Sequence, residues 1–357
     1  MKQTSLDFLK RLLDTPGPSG FESAPARVWR EEAESFAGDV RGDTTGNSLA
    51  TVNPKGAPRV MLAGHIDEIG LMITHVDDDG FLYFDGIGGW DPQVLVGQRV
   101  RLLTKCGPVI GVIGKKPIHL IKQDERDKAS KITDLWIDVG AENRKTVQDR
   151  GVRVGDPAVI DSKLVELGDH LIASRSIDNR IGAFVVLEAL RLLAEDGDGL
   201  EAGVTAVATA QEEIGYSGGG ARTSAWSVEP DLALVVDVTF ATDAPGMEKK
   251  ELGDHKLGGG PVLARGSSSH VMVFERLAGI AEKEGIPHTI TANPRYSSTD
   301  ADAIYLVRHG IPTGLISVPN RYMHSPNEIV DVRDLEQTAR LIAAFCRSVR
   351  KGEGWVP

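Results

Sequence analysis

The stretch at residues 204–220 constrains the fold more than any other part of the chain. It begins with an apolar, β-branched run at residues 204–208, which predicts a buried strand. Two adjacent carboxylates, Glu212 and Glu213, and a glycine-rich turn follow this run. Open α/β sheets carry their chemistry beyond the carboxyl ends of their strands, so the pair lies where a site is expected. An isolated glutamate pair is more often a solvated surface feature, and the other polar positions of the chain decide between the two interpretations.

The composition indicates a folded globular protein. Of the 357 residues, 41% are hydrophobic and 25% are charged, and this length allows two domains and a sizeable core. The formal net charge of -11 argues against a nucleic-acid-binding surface. Residues 1–17 place leucines at helical spacing with charges between them, which predicts an amphipathic helix and not a signal peptide. No window approaches the ~18–20 apolar residues of a membrane span, so we expect neither nucleic acid nor membrane as a partner.

The cysteine content points to a reducing compartment. Cys106 and Cys346 lie far apart and lack the spacing of metal ligands. We therefore predict a cytoplasmic protein in which histidines and carboxylates hold any metal.

The periodicity of the sequence changes character twice. Helix and strand patterns alternate up to residue 70 and again from residue 165, which predicts an α/β fold with a mostly parallel sheet flanked by helices. Between them, residues 71–164 show short alternating runs separated by turn signals, typical of a small β-barrel or sandwich. We predict a discontinuous α/β domain, residues 1–70 and 165–357, with an inserted small β-barrel-like domain at residues 71–164.

Individual elements follow from the same patterns. Helices are predicted at residues 21–36, 178–195, 270–284, 299–308 and 332–350, a strand pair at residues 43–52, and strands at residues 59–63, 232–236, 288–291 and 311–318. Inside the inserted domain, the charged segment at residues 122–131 is predicted to be a solvated loop.

Potential metal ligands occur at separated places, each where a strand or loop ends. His65 and Asp67 share a face in an extended segment, so Asp67 can fix the tautomer of His65. Asp178 precedes a helix, where an N-cap is the favoured alternative. Asp237 ends an apolar run, where a carboxylate is costly unless a helix N-terminus, an arginine or another positive group meets it. His324 lies in a polar loop before the last helix, which suits an ordinary exposed histidine equally well.

Taken together, these positions predict a dinuclear metal site. Two histidines and three carboxylates match a site in which one aspartate bridges two ions, while Glu212 stays free to act on water. The predicted ligands are His65, Asp178, Glu213, Asp237 and His324.

Seven motifs, in this order along the chain, resemble the M42 family of metallo-aminopeptidases. They are AGHIDEIG (63–70), SIDNRIG (176–182), AQEEIGYSGG (210–219), VVDVTF (235–240), GGGPVLARG (258–266), SSTDADA (297–303) and RYMHSPNE (321–328). The resemblance spans nearly the whole chain and includes the glutamyl or deblocking aminopeptidases and the tetrahedral aminopeptidases. It implies the phosphorylase/hydrolase-like α/β fold of the wider zinc-peptidase group.

The same resemblance implies a role for each site residue. Asp178 becomes the bridging ligand, His65 and Asp237 hold one ion, Glu213 and His324 hold the other, Glu212 becomes the general base, and Asp67 supports His65. Each subunit would carry two divalent ions, with zinc as the first expectation and cobalt or manganese suiting the same ligands. The substrates would be peptides with a free N-terminus, from which a water activated at the ions removes N-terminal residues. The family also implies a homo-oligomer, dimers assembling into a dodecamer through the inserted β-domain.

Two departures from the family pattern bear on substrate preference. Asn179 stands where many relatives have a second aspartate, and Tyr216-Ser217 replace an aliphatic-basic pair. Both are expected near the pocket.

Three further residues are assigned to substrate binding with an alternative beside each. Thr299 and Asp300 start a helix, so a plain N-cap and a pocket role are equally favoured. Gly259 and its neighbouring glycines let backbone approach a substrate, or they form a turn.

Other functions compete with the aminopeptidase. One is a metal-dependent amidohydrolase or dipeptidase for one small metabolite, because related folds use one metal cage for several amides. A glucanase normally uses a carboxylate pair without metals, which disfavours it here. A non-catalytic binding protein on this fold would have lost a ligand or Glu212, and none is missing.

Overall fold

The computed structural model describes residues 1–196, 199–215 and 218–357. The strands are β1 (Asp39–Gly42), β2 (Ser48–Val52), β3 (Arg59–His65), β4 (Gly70–Val76), β5 (Phe81–Ile87), β6 (Arg99–Thr104), β7 (Gly107–Lys115), β8 (Leu135–Asp138), β9 (Pro157–Ile160), β10 (Val165–Leu167), β11 (Leu171–Ser174), β12 (Gly203–Thr209), β13 (Leu232–Phe240), β14 (Val262–Gly266), β15 (Thr289–Asn293), β16 (Thr313–Asn320) and β17 (Glu328–Asp331). The helices are α1 (Gln3–Asp14), α2 (Ser23–Ala33), α3 (Pro92–Leu95), α4 (Arg144–Asp149), α5 (Ile177–Asp196), α6 (Gly219–Val228), α7 (Lys249–Leu252), α8 (Val271–Lys283), α9 (Asp300–Ile304) and α10 (Val332–Ser348).

An eight-stranded mixed sheet forms the centre of the molecule. Its strand order is β1-β2-β12-β3-β13-β16-β14-β15. The four central strands, β12, β3, β13 and β16, are parallel to one another. On one side β2 runs antiparallel to β12, and on the other β14 runs antiparallel to β16. The prediction of a mostly parallel sheet therefore describes the central strands, while β2 and the β14–β15 pair run against them.

Helices cover both faces of this sheet, which explains the apolar character of its strands. In β13, Leu232 and Leu234 pack into the larger core with residues of α5 and α10. Ala233 and Val235 point to the other face and pack with residues of α6 and α9. Both faces are therefore buried, so the strand shows a continuous apolar run instead of an alternation. This part of the predicted α/β architecture is confirmed.

A closed barrel of six antiparallel strands lies between β3 and β10 in the chain. Its order is β4-β5-β8-β7-β6-β9, and it has its own core, including Leu71, Leu102 and Ile137. The predicted β-barrel-like fold is thereby confirmed, although the sequence did not indicate the closing strand β9. The domain boundaries at residues 70/71 and 164/165 stay a prediction.

Several local predictions differ from the structure. The strand pair expected at residues 43–52 starts earlier, because β1 ends before the turn. The helix expected at residues 299–308 shortens to the five residues of α9. The sequence also missed α6, β14 and the small sheet β10-β11-β17. Residues 122–131 contain a single 3-10 turn, Gln123–Glu125.

Among the residues that the structure describes, no helix is long and apolar enough to cross a bilayer.

Candidate active site

The parallel central strands bring the predicted site residues to one edge of the sheet. His65 is the last residue of β3 and pairs in register with Thr209, the last residue of β12. Glu212 and Glu213 follow β12 directly, and Asp237 lies in the carboxyl half of β13. A cavity of about 980 Å³ opens at this edge, and its walls include all six predicted ligand and base residues, namely His65, Asp178, Glu212, Glu213, Asp237 and His324.

Asp178 lies between the two histidines and presents one oxygen to each. Its Oδ1 is 3.2 Å from His65 Nε2, and its Oδ2 is 3.3 Å from His324 Nε2. His324 Nε2 is also 3.4 Å from Glu213 Oε2. Asp178 has a non-helical conformation, and Asn179 caps the helix instead, since its Oδ1 accepts from the N–H of Gly182 at 3.0 Å. The capping alternative for Asp178 is therefore wrong.

A second set of donors surrounds His65. Its Nε2 lies 3.6 Å from Glu212 Oε2 and 3.9 Å from Asp237 Oδ1. The ligand atoms of these three residues lie within 4.8 Å of one another, and so do those of His65, Asp178 and Glu213. Imidazole nitrogens and carboxylate oxygens at such spacing fit divalent transition metals. The residues present could thus hold metal ions.

The electrostatics of the cavity support the same conclusion. Burial raises the pKa of Glu212 to about 10, and the charges of Asp237 and other carboxylates add to the shift. Burial also raises the pKa of Asp237 well above its ordinary value. Hydrogen bonding to Asp178 raises the pKa of His324 to about 11. Burial would lower the pKa of His65, but Glu212 and Asp178 hold it well above 6.5. This buried excess of carboxylates favours a bound cation.

Asp67 connects two of the motifs beneath the cavity. It is fully buried, and its carboxylate accepts from the backbone N–H groups of Glu212 at 3.2 Å and Glu213 at 3.0 Å. Its Oδ1 also lies 3.4 Å from His65 Nδ1. Burial would raise the pKa of Asp67, but the imidazole of His65 lowers it. One carboxylate thus fixes both glutamates relative to the histidine.

Sequence reasoning missed Glu328, which joins two of the predicted ligands. It is 2% exposed at the start of β17. Its Oε2 accepts from the N–H of Asp178 at 3.0 Å, and its Oε1 accepts from the N–H of His324 at 2.9 Å. The only sequence signal was its place in the motif at residues 321–328.

Comparisons with known proteins agree with this geometry. A family model described as M42 glutamyl aminopeptidase matches residues 46–341. The chain belongs to the M42 peptidase family. The predicted resemblance is thereby confirmed, and the chain is a hydrolase of an aminopeptidase family.

Relatives of this M42 chain match along almost its whole length. It is 34% identical over 347 residues to the lysyl aminopeptidase of Pyrococcus furiosus, covering 96% of this chain and 97% of that protein. A TET aminopeptidase from a marine-sediment Thaumarchaeota archaeon has a TM-score of 0.92 at 35% identity, covering 97% and 96% of the two chains. The TET1 peptidase of Pyrococcus horikoshii, described as assembling into a tetrahedron or a large octahedral shell, has a TM-score of 0.83 at 32% identity, covering 97% of this chain and 100% of that one.

A buried ion cluster of the M42 chain, also missed from the sequence, lies behind the site. Glu68 is 1% exposed and accepts from Arg180 at 2.9 Å, from Arg175, and from the N–H of Gly17 at 3.0 Å. Arg180 is fully buried and also donates to the carbonyl of Ile66 at 3.0 Å. Its position inside the 176–182 motif was the available signal, because a charged residue there has to find partners.

The backbone around the M42 site contains an unusual number of left-handed residues. Five non-glycine residues in or beside its motifs have positive φ, namely Ser176 (61°), Gln211 (62°), Ser298 (59°), Tyr322 (63°) and His324 (59°). Such conformations cost on the order of 1 kcal/mol or more each and concentrate at functional sites. Because none is a glycine, these conformations could not be predicted from residue type.

The barrel of the M42 chain reaches the site through its loop after β5. A Cβ added to Gly88, where φ is +77°, would lie 3.3 Å from Glu213 Oε2 and 2.6 Å from Ile69 Cγ2. A Cβ added to Gly89 would lie 3.3 Å from His324 Nδ1. These two glycines therefore allow the barrel to pack directly against two predicted ligands.

The three residues predicted to bind substrate lie in different places. Thr299 both lines the cavity and caps α9, because its Oγ1 accepts from the N–H of Ala301 at 3.2 Å. Asp300 is buried behind the wall, where it accepts from Thr209 Oγ1 at 2.5 Å and burial raises its pKa to about 6. Gly259 lies in a turn and is not among the described residues that line the cavity.

Only one of the two departures from the family pattern lies in the part of the chain that the structure describes. Asn179 is fully buried and donates to the carbonyl of Val236 at 2.8 Å, so it braces α5 against β13 and does not reach the pocket wall. It follows the cavity-lining Asp178 directly in the chain, so it lies near the pocket, but it does not line the cavity. Tyr216 and Ser217 lie outside the described residues.

Proposed function

We propose that this chain is a dinuclear metal-dependent aminopeptidase that removes N-terminal residues from peptides. The observation that carries the proposal is the position of Asp178, whose two oxygens face His65 on one side and His324 on the other. Asp237 completes the donor set beside His65, and Glu213 completes the set beside His324. Membership of the M42 family supports the same arrangement.

The proposed ligands are shared between two positions. His65 and Asp237 would hold one ion, Glu213 and His324 would hold the other, and Asp178 would contribute to both. Bound there, two divalent ions would supply Lewis acidity that lowers the pKa of a water and polarises the scissile carbonyl. Zinc is the metal we propose, and cobalt and manganese suit the same nitrogen and oxygen donors.

Glu212 is the proposed general base. It lines the cavity, and its Oε2 lies beside the donor set, 3.6 Å from His65 Nε2. It takes a proton from the attacking water and returns it to the nitrogen of the leaving amine, so the carboxylate is regenerated in each turnover. Asp67 holds the backbone of Glu212 in place for this transfer.

The walls of the cavity supply the proposed substrate selectivity. Their carboxylates favour a substrate that carries the ammonium group of a free N-terminus. Thr299 lies on the wall and is proposed to contact the peptide. A volume of about 980 Å³ is large enough for the N-terminal residues of a peptide.

We also propose a homo-oligomer of M42 type, built from dimers into a dodecamer in the cytoplasm. The Pyrococcus horikoshii relative, described as forming a closed shell, supports the assembly. The barrel, which we assign to an inserted domain at residues 71–164, is the proposed contact surface, because Ile110 and Val112 on β7 are 48% and 46% exposed. Both cysteines are free thiols, in keeping with a reducing compartment.

A panel of aminoacyl reporter amides, each free and N-acetylated, tests the proposal. The protein is stripped with a chelator and reloaded with zinc, cobalt or manganese. We expect metal-restored cleavage of the free-amine substrates and none of the acetylated ones, which also ranks metals and side chains. Silence across the panel, with metal demonstrably bound, would favour a dedicated amidohydrolase for one metabolite.

A further inference from the structure

Asp178 and His324 come from distant parts of the chain. Asp178 stands at the start of α5, whereas His324 lies in the loop between β16 and β17. A metal site that uses both residues has to fix the separation of these two segments to a few tenths of an ångström, because metal–ligand distances tolerate little variation.

Glu328 bridges the two segments through their backbones. One carboxylate oxygen accepts from the N–H of Asp178 at 3.0 Å and the other from the N–H of His324 at 2.9 Å. A carboxylate is rigid and planar, so two hydrogen bonds to its two oxygens fix the two amides relative to each other. His324 also has a left-handed backbone, with φ of 59°, which needs such an external constraint to persist.

The surroundings of Glu328 give it no other evident task. It is 2% exposed, and among the residues that the structure describes it forms no ion pair. Burying a carboxylate is costly, but an apolar side chain of similar volume would leave the N–H groups of Asp178 and His324 without an acceptor. Joining these two amides is therefore the role that the structure gives this glutamate.

We infer that Glu328 is a positioning residue, which holds Asp178 and His324 at the separation that two metal ions require. The inference rests on the proposed dinuclear function. Glu328 touches neither substrate nor ions and acts only through the backbones of two ligands. Its loss should weaken the binding of the ion held by Asp178, Glu213 and His324 more than the binding of the other ion.

Asp334 provides a matched control in the same chain. It is fully buried and also accepts from two backbone N–H groups, those of Gly258 and Gly260, both at 2.8 Å. Neither glycine belongs to the proposed metal site. Glu328→Gln and Asp334→Asn are therefore the same chemical change, each replacing one carboxylate oxygen with an amide nitrogen.

Zinc affinity of each full-length variant, measured by competition with a chromogenic chelator, tests the inference, and the absorption spectrum of the cobalt-loaded protein reports on ligand geometry. We expect Glu328→Gln to lower the affinity for one of the two zinc ions about 10- to 100-fold and to alter the absorption spectrum of the cobalt-loaded protein. Asp334→Asn should leave the zinc affinity and the cobalt spectrum unchanged, even where it lowers Tm. Glu328→Asp, which keeps the charge but shortens the side chain, should weaken zinc less than Glu328→Ala.

Two results would overturn the inference. In one, Glu328→Gln binds both zinc ions as tightly as the wild type, while the wild type remains an active two-zinc enzyme, so that the proposed function stands. In the other, Asp334→Asn weakens zinc as much as Glu328→Gln does. Absence of zinc binding by the wild-type chain would remove the proposed function itself and this inference with it.

Discussion

At the scale of single residues, a substitution of Glu212 distinguishes proton transfer from metal binding. The proposed mechanism needs its carboxylate only for moving a proton, whereas Glu213 is assigned to an ion. Glu212→Gln should therefore lower kcat by about 10²- to 10⁴-fold and leave the zinc content near that of the wild type. Metal analysis beside steady-state kinetics makes the comparison, with Glu213→Gln as the variant expected to lose metal. Substantial turnover by Glu212→Gln would show that another group is the base.

The pKa shifts at the site predict how the metal-free protein responds to pH. The pKa values of Glu212, about 10, and Asp237, well above 3.8, are raised on folding, so the folded state binds these protons more tightly than the unfolded state. The free energy of unfolding then falls as the pH rises from about 4 through neutrality. His324 acts in the same direction above 6.5, since its folded-state pKa is about 11.

Thermal unfolding of chelator-treated protein checks this sign. We expect a lower Tm at pH 8 than at pH 5.5, and a larger gain in Tm on adding zinc at pH 8, because protons and metal compete for the same atoms. Below pH 4 the trend reverses, since the arginines beside Glu68 lower its pKa and that contribution is lost on protonation. A Tm that rises from pH 5.5 to pH 8 without metal would contradict the expectation.

Residue types at strand ends made the polar residues of the cavity predictable, but not the groups that position them. His65 and Asp237 stand out because a polar side chain next to a buried strand needs a reason. Glu328 and Asp67 act by accepting backbone N–H groups from segments about 150 residues away, and any residue supplies such a donor. Their partners follow from the tertiary fold, which one sequence does not display.

At the scale of elements, Arg180 fastens the end of α1 to α5. It is fully buried and donates to the carbonyl of Leu12 at 3.0 Å and to that of Gly17 at 3.2 Å, besides pairing with Glu68. Arg180→Met should cost about 3–5 kcal/mol of stability, because several carbonyls and part of a buried carboxylate lose their partner. Urea denaturation measures the loss. Lys145→Met, at an exposed pair with Asp149, is the control and should change little; equal effects would refute the anchoring role.

The start of helix α6 was not predicted, because its glycines allow close packing and do not form a flexible turn. The glycines at residues 218–220 predicted a turn, yet Gly219 and Gly220 form the start of α6. A Cβ on Gly220 would lie 1.9 Å from Asn47 Oδ1, so the helix start is pressed against a neighbouring loop. The periodic helices α5 and α10 were predicted within a few residues, because their apolar faces repeat over many turns.

At the scale of the whole molecule, the exposed face of the barrel predicts assembly. Ile110 and Val112 project outward from β7, and apolar side chains exposed side by side mark contact surfaces. Ile110→Asp should reduce the native mass from a large oligomer of 38.3 kDa chains to smaller species, as measured by light scattering. Val356→Asp, at an 88% exposed residue near the opposite edge of the main sheet, should leave the mass unchanged. An unaltered mass for Ile110→Asp would move the contact elsewhere.

The overall architecture was predictable because the two periodicities of the chain are distinct. Helix–strand alternation and short β runs occupy separate stretches, so the part of the chain that forms the barrel could be distinguished from the rest. The antiparallel flanks of the sheet were not, since the direction of β2 and β14 depends on which neighbours they meet and not on their own residues.

The glycines at residues 88 and 89 limit which barrels could be joined to this sheet. Through them the barrel packs against Glu213 and His324, and the indole N–H of Trp90 donates to the carbonyl of Gly70 at 2.7 Å. A foreign barrel spliced between β3 and β10 would fill the same space but would not restore this fit. The residues on the two sides of this contact therefore constrain one another, because a side chain at either glycine would press against Glu213 or His324.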